Sequence, residues 1–223
     1  MKKILARGGV ELIAVVLGIT LSLWVDDKRE LNIIDKNNVK TLQSIKNEVR
    51  LRIDYIERKI NQYQRDIEVG EYVIKNWTDI DFDSITSKTK NDRSIVLTLK
   101  AYRAINLPIS IYNSLNSDGS IARLDQDSIK VILNNLYEVF PAHIVDGVEN
   151  ERVLYHSFNE FIINNYPRIV EDGVGELEKN DYKKFFNDDI VLGYVLEKTH
   201  IRRFILRLIT NYHIRLIHLE GML

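Results

Sequence analysis

Residues Gly8 to Val25 read GGVELIAVVLGITLSLWV, a run of 18 residues whose only charge is Glu11. Lys2, Lys3 and Arg7 precede it, and Asp26, Asp27, Lys28 and Arg29 follow. A helix needs about 17 apolar residues to cross a bilayer, so the run is near the minimum for a span. Trp24 stands at its exit, where an indole suits the membrane interface. A cleaved signal peptide is the competing reading. No small-x-small cleavage site follows, because Leu23, Trp24 and Val25 lead straight into two aspartates. The expectation is a retained anchor over residues 1–30, with the lipid bilayer as first partner. Basic residues flank both ends, three before (Lys2, Lys3, Arg7) and four after (Lys28, Arg29, Lys36, Lys40), so the positive-inside rule discriminates little. The tight cluster before the span favours a cytoplasmic N-terminus, which places the body in the periplasm of a bacterial inner-membrane protein.

Within the run, Ala14, Gly18 and Ser22 recur every four residues, so three small side chains share one helix face that another helix can approach closely. Glu11 lies on that face. A carboxyl group in hydrocarbon is costly; it is protonated, faces a partner helix or reaches the headgroups. Self-association through Glu11, Ala14, Gly18 and Ser22 is one reading. The other is that small residues are common in spans and Glu11 merely reaches the interface.

The rest of the chain, residues 31–223, reads as a soluble helical bundle, so the fold class is all-α: one N-terminal transmembrane helix, a long helix and a bundle. Only 3 Pro and 10 Gly in 223 residues, with 45% hydrophobic and 28% charged residues, describe a folded, helix-rich chain. No proline interrupts Leu31 to Trp77. There Val49, Ile53, Ile56, Ile60, Tyr63, Ile67, Gly70, Ile74 and Trp77 alternate steps of four and three, a coiled-coil-like seam with Gly70 as a weak point or kink. An intramolecular partner is favoured for that seam. Polar intervals at about 78–92 and 178–189 read as loops. Between them the sequence predicts a helix over Arg93 to Asn106, a short helix ending at Asn116, a helix that stops before Pro141, and one over Ala142 to Asn165.

The last element, about Ile190 to Leu219, carries His200, Arg203, Arg207, Asn211, Arg215 and His218 on one stripe. Ile201, Phe204, Ile205, Leu208, Tyr212, Leu216 and Leu219 cover the opposite side. The strip His200, Arg203, Arg207, Arg215 and His218 suits lipid headgroups or an acidic partner. The blander alternative, which is favoured, pairs it with Glu57, Asp66 or Glu71 of the long helix.

With no cysteine, disulfides, thiolate catalysis and Cys-based metal sites are excluded. A net charge of −1 gives no basic balance for nucleic acid. Glu197 and His200 have the Glu-x-x-His spacing of di-metal bundles, but no second such pair exists, and His213 and His218, five apart, do not share a helix face. No nucleophile elbow or phosphate-cradling loop occurs. No catalytic, cofactor-binding or metal residues are therefore expected.

Two stretches carry a likeness to a known family: Glu11, Leu12, Val16, Gly18, Ile19 and Trp24 in the apolar run, and Leu115, Ser117, Gly119 and Ile121 in the turn before a helix. With the intervening LQSIKNEVRLRIDYI, they make the chain resemble a family of uncharacterised single-span bacterial membrane proteins of Bacteroidetes type, with a glutamate-led span. Val10 separates Gly9 from Glu11 where that family usually has a Gly-Glu pair, and Ser22 stands where alanine is common. The resemblance covers most of the first 140 residues. It implies membrane anchoring and a helical body, and no activity or ligand.

These readings converge on a non-enzymatic, membrane-anchored interaction or scaffold protein that self-associates through its span and binds an unidentified protein partner. The alternative is a membrane-bound sensor or effector whose body binds a small ligand and acts through the span.

Overall fold

A computed structural model describes residues 2–81, 95–170 and 179–223, with side chains described over 16–81, 95–169 and 182–223. Every regular element among them is helical: α1 (Lys2–Lys75), α2 (Ile95–Lys100), α3 (Ser110–Ser117), α4 (Asp127–Asn134), α5 (Phe140–Asn165), α6 (Pro167–Val170), α7 (Lys179–Phe185) and α8 (Asp189–Met222). A π-helical turn, Asn135–Val139, joins α4 to α5.

The absence of proline lets α1 run unbroken for 74 residues, about 110 Å at the usual rise of 1.5 Å per residue. Its partner is α8, in the same chain and antiparallel. Glu71 pairs with Arg203 near one end and Arg50 with Glu220 near the other. All nine seam residues from Val49 to Trp77 are buried or half-buried, so the expected intramolecular seam is present. Gly70 is no kink. A Cβ there would collide with the Thr199 hydroxyl of α8, so its lack of side chain sets how closely the two long helices approach.

Two apolar clusters fill the body. One joins α1 through Val49 and Ile56 to α4, α5 and the C-terminal half of α8 through Leu133, Ile144, Ile209 and Leu216. The other joins the end of α1 to α2, α5, α7 and the start of α8 through Val73, Leu99, Phe158, Phe185 and Val195.

Several boundaries differ from those the sequence predicts. The helix expected over Arg93 to Asn106 ends at Lys100, and Ala101 to Ile109 has no regular structure. Side chains of other helices satisfy much of its backbone, as detailed below. Chain expected to stop before Pro141 continues through it. Pro141 cannot donate a backbone N–H, and the π turn accommodates it, with the Phe140 amide bonding back to Asn135 O. The polar interval 178–189 contains α7, whose Phe185 is buried.

Phe204, expected on the buried side of α8, is 43% exposed. Among the described residues, no helix is long and apolar enough to cross a membrane. The side chains of Glu11 and Ala14 lie outside the described residues.

Candidate functional site

The irregular segment Ala101 to Ile109 runs along α1 in the opposite sense, with its peptide groups turned to helix side chains. Arg202 Nη2 donates to Thr98 O at 2.8 Å and to Ala101 O at 2.7 Å, closing carbonyls at the end of α2 that have no helical partner. Lys59 Nζ donates to Ala104 O and Arg52 Nε to Pro108 O, while Tyr63 Oη, whose one proton is shared with Glu151, lies 3.2 Å from Arg103 O. The Arg103 amide donates to Glu151 Oε2 and the Asn106 amide to Tyr55 Oη. Non-helical backbone can be buried only when its polar groups find partners, and here charged side chains provide them.

Those side chains form an ionic network at the centre of the body. Arg202 Nε donates to Glu151 Oε1 at 2.8 Å, Lys198 Nζ lies 3.6 Å from the same oxygen, and Tyr63 Oη donates to Glu151 Oε2 at 3.0 Å. Arg103 grips Asp66 through both Nε and Nη2, at 2.6 and 2.9 Å. Burial disfavours the Glu151 carboxylate, but Arg202 and Lys198 outweigh it and hold its pKa below the ordinary value. Two carboxylates thus face three cations, and Lys198, with the longest contact, is the one burial pushes down, to about 8. Burial, reinforced by Glu151, pushes Tyr63 well above the phenol range, so its proton stays. Each of these charges has a partner among the described residues, and together they fix where the irregular segment lies.

A second buried group surrounds Arg52. Its Nη1 donates to Tyr212 Oη at 2.5 Å and to Leu136 O at 3.1 Å, and the guanidinium lies 3.6 Å from the Tyr137 ring centroid. Leu136 O is available because of Pro141. The Phe140 amide bonds to Asn135 O, and the next residue has no N–H to give. Tyr212 Oη also donates to Leu136 O, at 2.8 Å. One turn back on α1, Glu48 accepts from the Ile111 and Tyr112 amides at 2.7 and 3.1 Å and so caps α3 from another helix.

Sequence reasoning missed these buried charges, though a signal existed. Arg52 falls in step with Ile45, Val49 and Ile56, and Lys198 and Arg202 sit between Val195 and Ile205 at core spacing. Of the expected basic strip, His200, Arg203, Arg207, Arg215 and His218 are all exposed along α8. Only part of it meets acid. Arg203 pairs with Glu71 at 2.6 Å, Arg215 stacks over the Phe140 ring, and Asp66 is taken by Arg103 and Arg202 instead. Glu197 and His200 are both exposed, and no group of metal-ligating side chains occurs among the described residues. Gly18 and Ser22 are on the exposed part of α1, where a Cβ on Gly18 would meet nothing.

Where α8 ends beside Arg50, α1 runs on past α3 and the turn after it. Between it and that turn lies a cavity of about 220 Å³, lined among others by Ile34, Lys40, Ser44, Leu115, Ser120 and Arg123. Comparison with protein-family models, curated proteins and solved structures finds no match to this chain.

Proposed function

We propose that this chain is a non-enzymatic, membrane-anchored interaction protein, held in a bacterial inner membrane by Gly8 to Val25 and displaying its helical body on the periplasmic side. One observation carries the reading. From Val16 to Val25 every residue of α1 is exposed, including Leu17, Ile19, Leu21, Leu23 and Trp24, each more than half exposed. Among the described residues nothing else covers this apolar stretch, and so much unpartnered apolar surface calls for lipid or another protein. The resemblance to glutamate-led single-span proteins supports lipid. The stripe Ala14, Gly18 and Ser22, with Glu11, is the proposed self-association face, and the basic strip on α8 a surface for a protein partner.

The test is fractionation of cells expressing the full chain. Retention in the membrane pellet after alkaline carbonate extraction, with loss of retention in a Leu17→Lys, Leu21→Lys variant, supports the anchor. Release of the unaltered chain by carbonate removes it. A mild-detergent pull-down from those membranes then reads the partner and the size of the complex. The sensor alternative is favoured by one feature, the polar cavity beside α1.

A further inference from the structure

That cavity has an unusual inventory of polar groups. Thr41 lines it from α1, is 6% exposed, and has no hydrogen-bond partner for its hydroxyl among the described residues. Its hydroxyl is therefore open to a ligand in the cavity. Ser44 and Asn37, on the same side, also have no partner among the described residues, and Lys40 forms no ion pair there. Across the opening, Arg123 is held by Asp118 O at 3.0 Å and Ser120 Oγ at 3.5 Å, both uncharged acceptors, so its guanidinium charge is uncompensated by any carboxylate in salt-bridge range among the described residues.

No carboxylate lines the cavity. Those nearby are engaged: Asp118 Oδ1 accepts from the Ser120 amide at 2.8 Å, and Asp125 Oδ2 from Asn38 Nδ2 at 3.0 Å. Two cations, three hydroxyls and two amides therefore line one space that no acid lines.

We propose that this cavity binds a small phosphate ester. The guanidinium and ammonium suit a multiply charged oxyanion. The Thr41, Ser44 and Ser120 hydroxyls suit its ester and hydroxyl oxygens, and Ile34 and Leu115 give it an apolar lining. The volume of about 220 Å³ leaves room for a ligand the size of a phosphorylated triol.

Two sources share this chemistry, a soluble ester and a phospholipid headgroup, and distance separates them. On the proposed anchor, Ile34, the lining residue nearest the span, stands nine residues beyond Val25, about 14 Å along a helix, whereas the headgroup layer is only about 5–7 Å thick on each side. The ligand is therefore soluble. The site itself does not depend on the anchor, since α1, α3 and the turn form it alone.

The test titrates the full-length chain, in neutral detergent, with glycerol 3-phosphate by calorimetry, with glycerol as the uncharged control. Saturable binding of the ester and none of glycerol is expected. Lys40→Gln and Arg123→Gln together should weaken it by about tenfold or more, and Arg207→Gln, elsewhere on the surface, should leave it unchanged. Lys40→Gln alone keeps the test clear of folding, because Lys40 is exposed and unpartnered among the described residues. No saturable heat up to about 10 mM ester, or heat undiminished in the double variant, overturns the site. A silent ester together with thermal stabilisation in phosphatidylglycerol nanodiscs over phosphatidylcholine nanodiscs, abolished by the double variant, overturns the soluble ligand in favour of a headgroup.

Discussion

Arg202 Nε donates to Glu151 Oε1 at 2.8 Å with neither residue more than 1% exposed, and the same guanidinium closes the carbonyls of Thr98 and Ala101. One side chain from α8 thus joins α5 to the end of α2. Because Glu151 also receives the Arg103 amide, the pair decides where the irregular segment lies. Replacing Glu151 with Ala strands two buried cations and should destabilise the body by about 3–5 kcal/mol. Urea unfolding of the full chain in detergent checks it, and a loss below 1 kcal/mol would mean that water reaches the network.

The same carboxylate gives a sign in acid. Its pKa is lower in the folded chain than in the unfolded one, so its stabilisation is fully present above the ordinary glutamate value, about 4.3, and is lost as pH falls through the lower folded value. Lys198 acts at the other end of the scale. Burial lowers its ammonium from 10.5 to about 8, so below pH 8 both states hold the proton and the full cost of burying it is present. Between about 8 and 10.5 the folded state releases the proton first and stability rises with pH. The difference between wild type and Lys198→Met, measured by denaturation across that window, should carry the rise. A difference flat in pH would show that Lys198 keeps its ordinary pKa.

Gly70 should resist even alanine. Alanine gains about 1 kcal/mol of helix propensity over glycine, yet its Cβ would strike Thr199 Oγ1, which is fixed by donating to Val195 O at 2.8 Å. Overpacking of this kind costs about 1–3 kcal/mol, so Gly70→Ala should be destabilising on balance. Thr199→Ala removes the obstructing oxygen. The double variant should therefore be more stable than the sum of the singles by about 1 kcal/mol or more, and a double-mutant cycle with no coupling would refute the close approach.

How far the fold can be read from residues differs between its long and short elements. The α1 seam is legible because a period of seven sustained from Val49 to Trp77 has few alternatives, whereas which helix it packs on is not written in that period. The segment Ala101 to Ile109 is not legible, because its conformation is set by Arg52, Lys59, Tyr63 and Arg202 reaching from helices remote in sequence. Buried charges fail for a related reason. Charge predicts exposure, and only their step with flanking apolar positions betrays Glu151, Lys198 and Arg202 as core. The cavity residues come from α1 and from a turn about 80 residues later, a juxtaposition no periodicity encodes.

Pro141 supplies the last prediction. Its missing N–H, with the π turn before it, leaves Leu136 O to Arg52 Nη1 and Tyr212 Oη, and the phenol hydroxyl bridges the guanidinium and the carbonyl at 2.5 and 2.8 Å. Tyr212→Phe keeps the ring and removes only the bridge, leaving a buried carbonyl and cation short of a partner, which costs about 1–3 kcal/mol. In a chain of this size each kcal/mol lowers the melting temperature by about 2–4 °C. Pro141→Ala restores a donor able to reach the backbone, so the carbonyl depends less on Tyr212. Adding Tyr212→Phe to Pro141→Ala should therefore cost less than adding it to the native chain, read as a smaller drop in melting temperature. Equal drops in the two backgrounds would show that the proline and the tyrosine act independently.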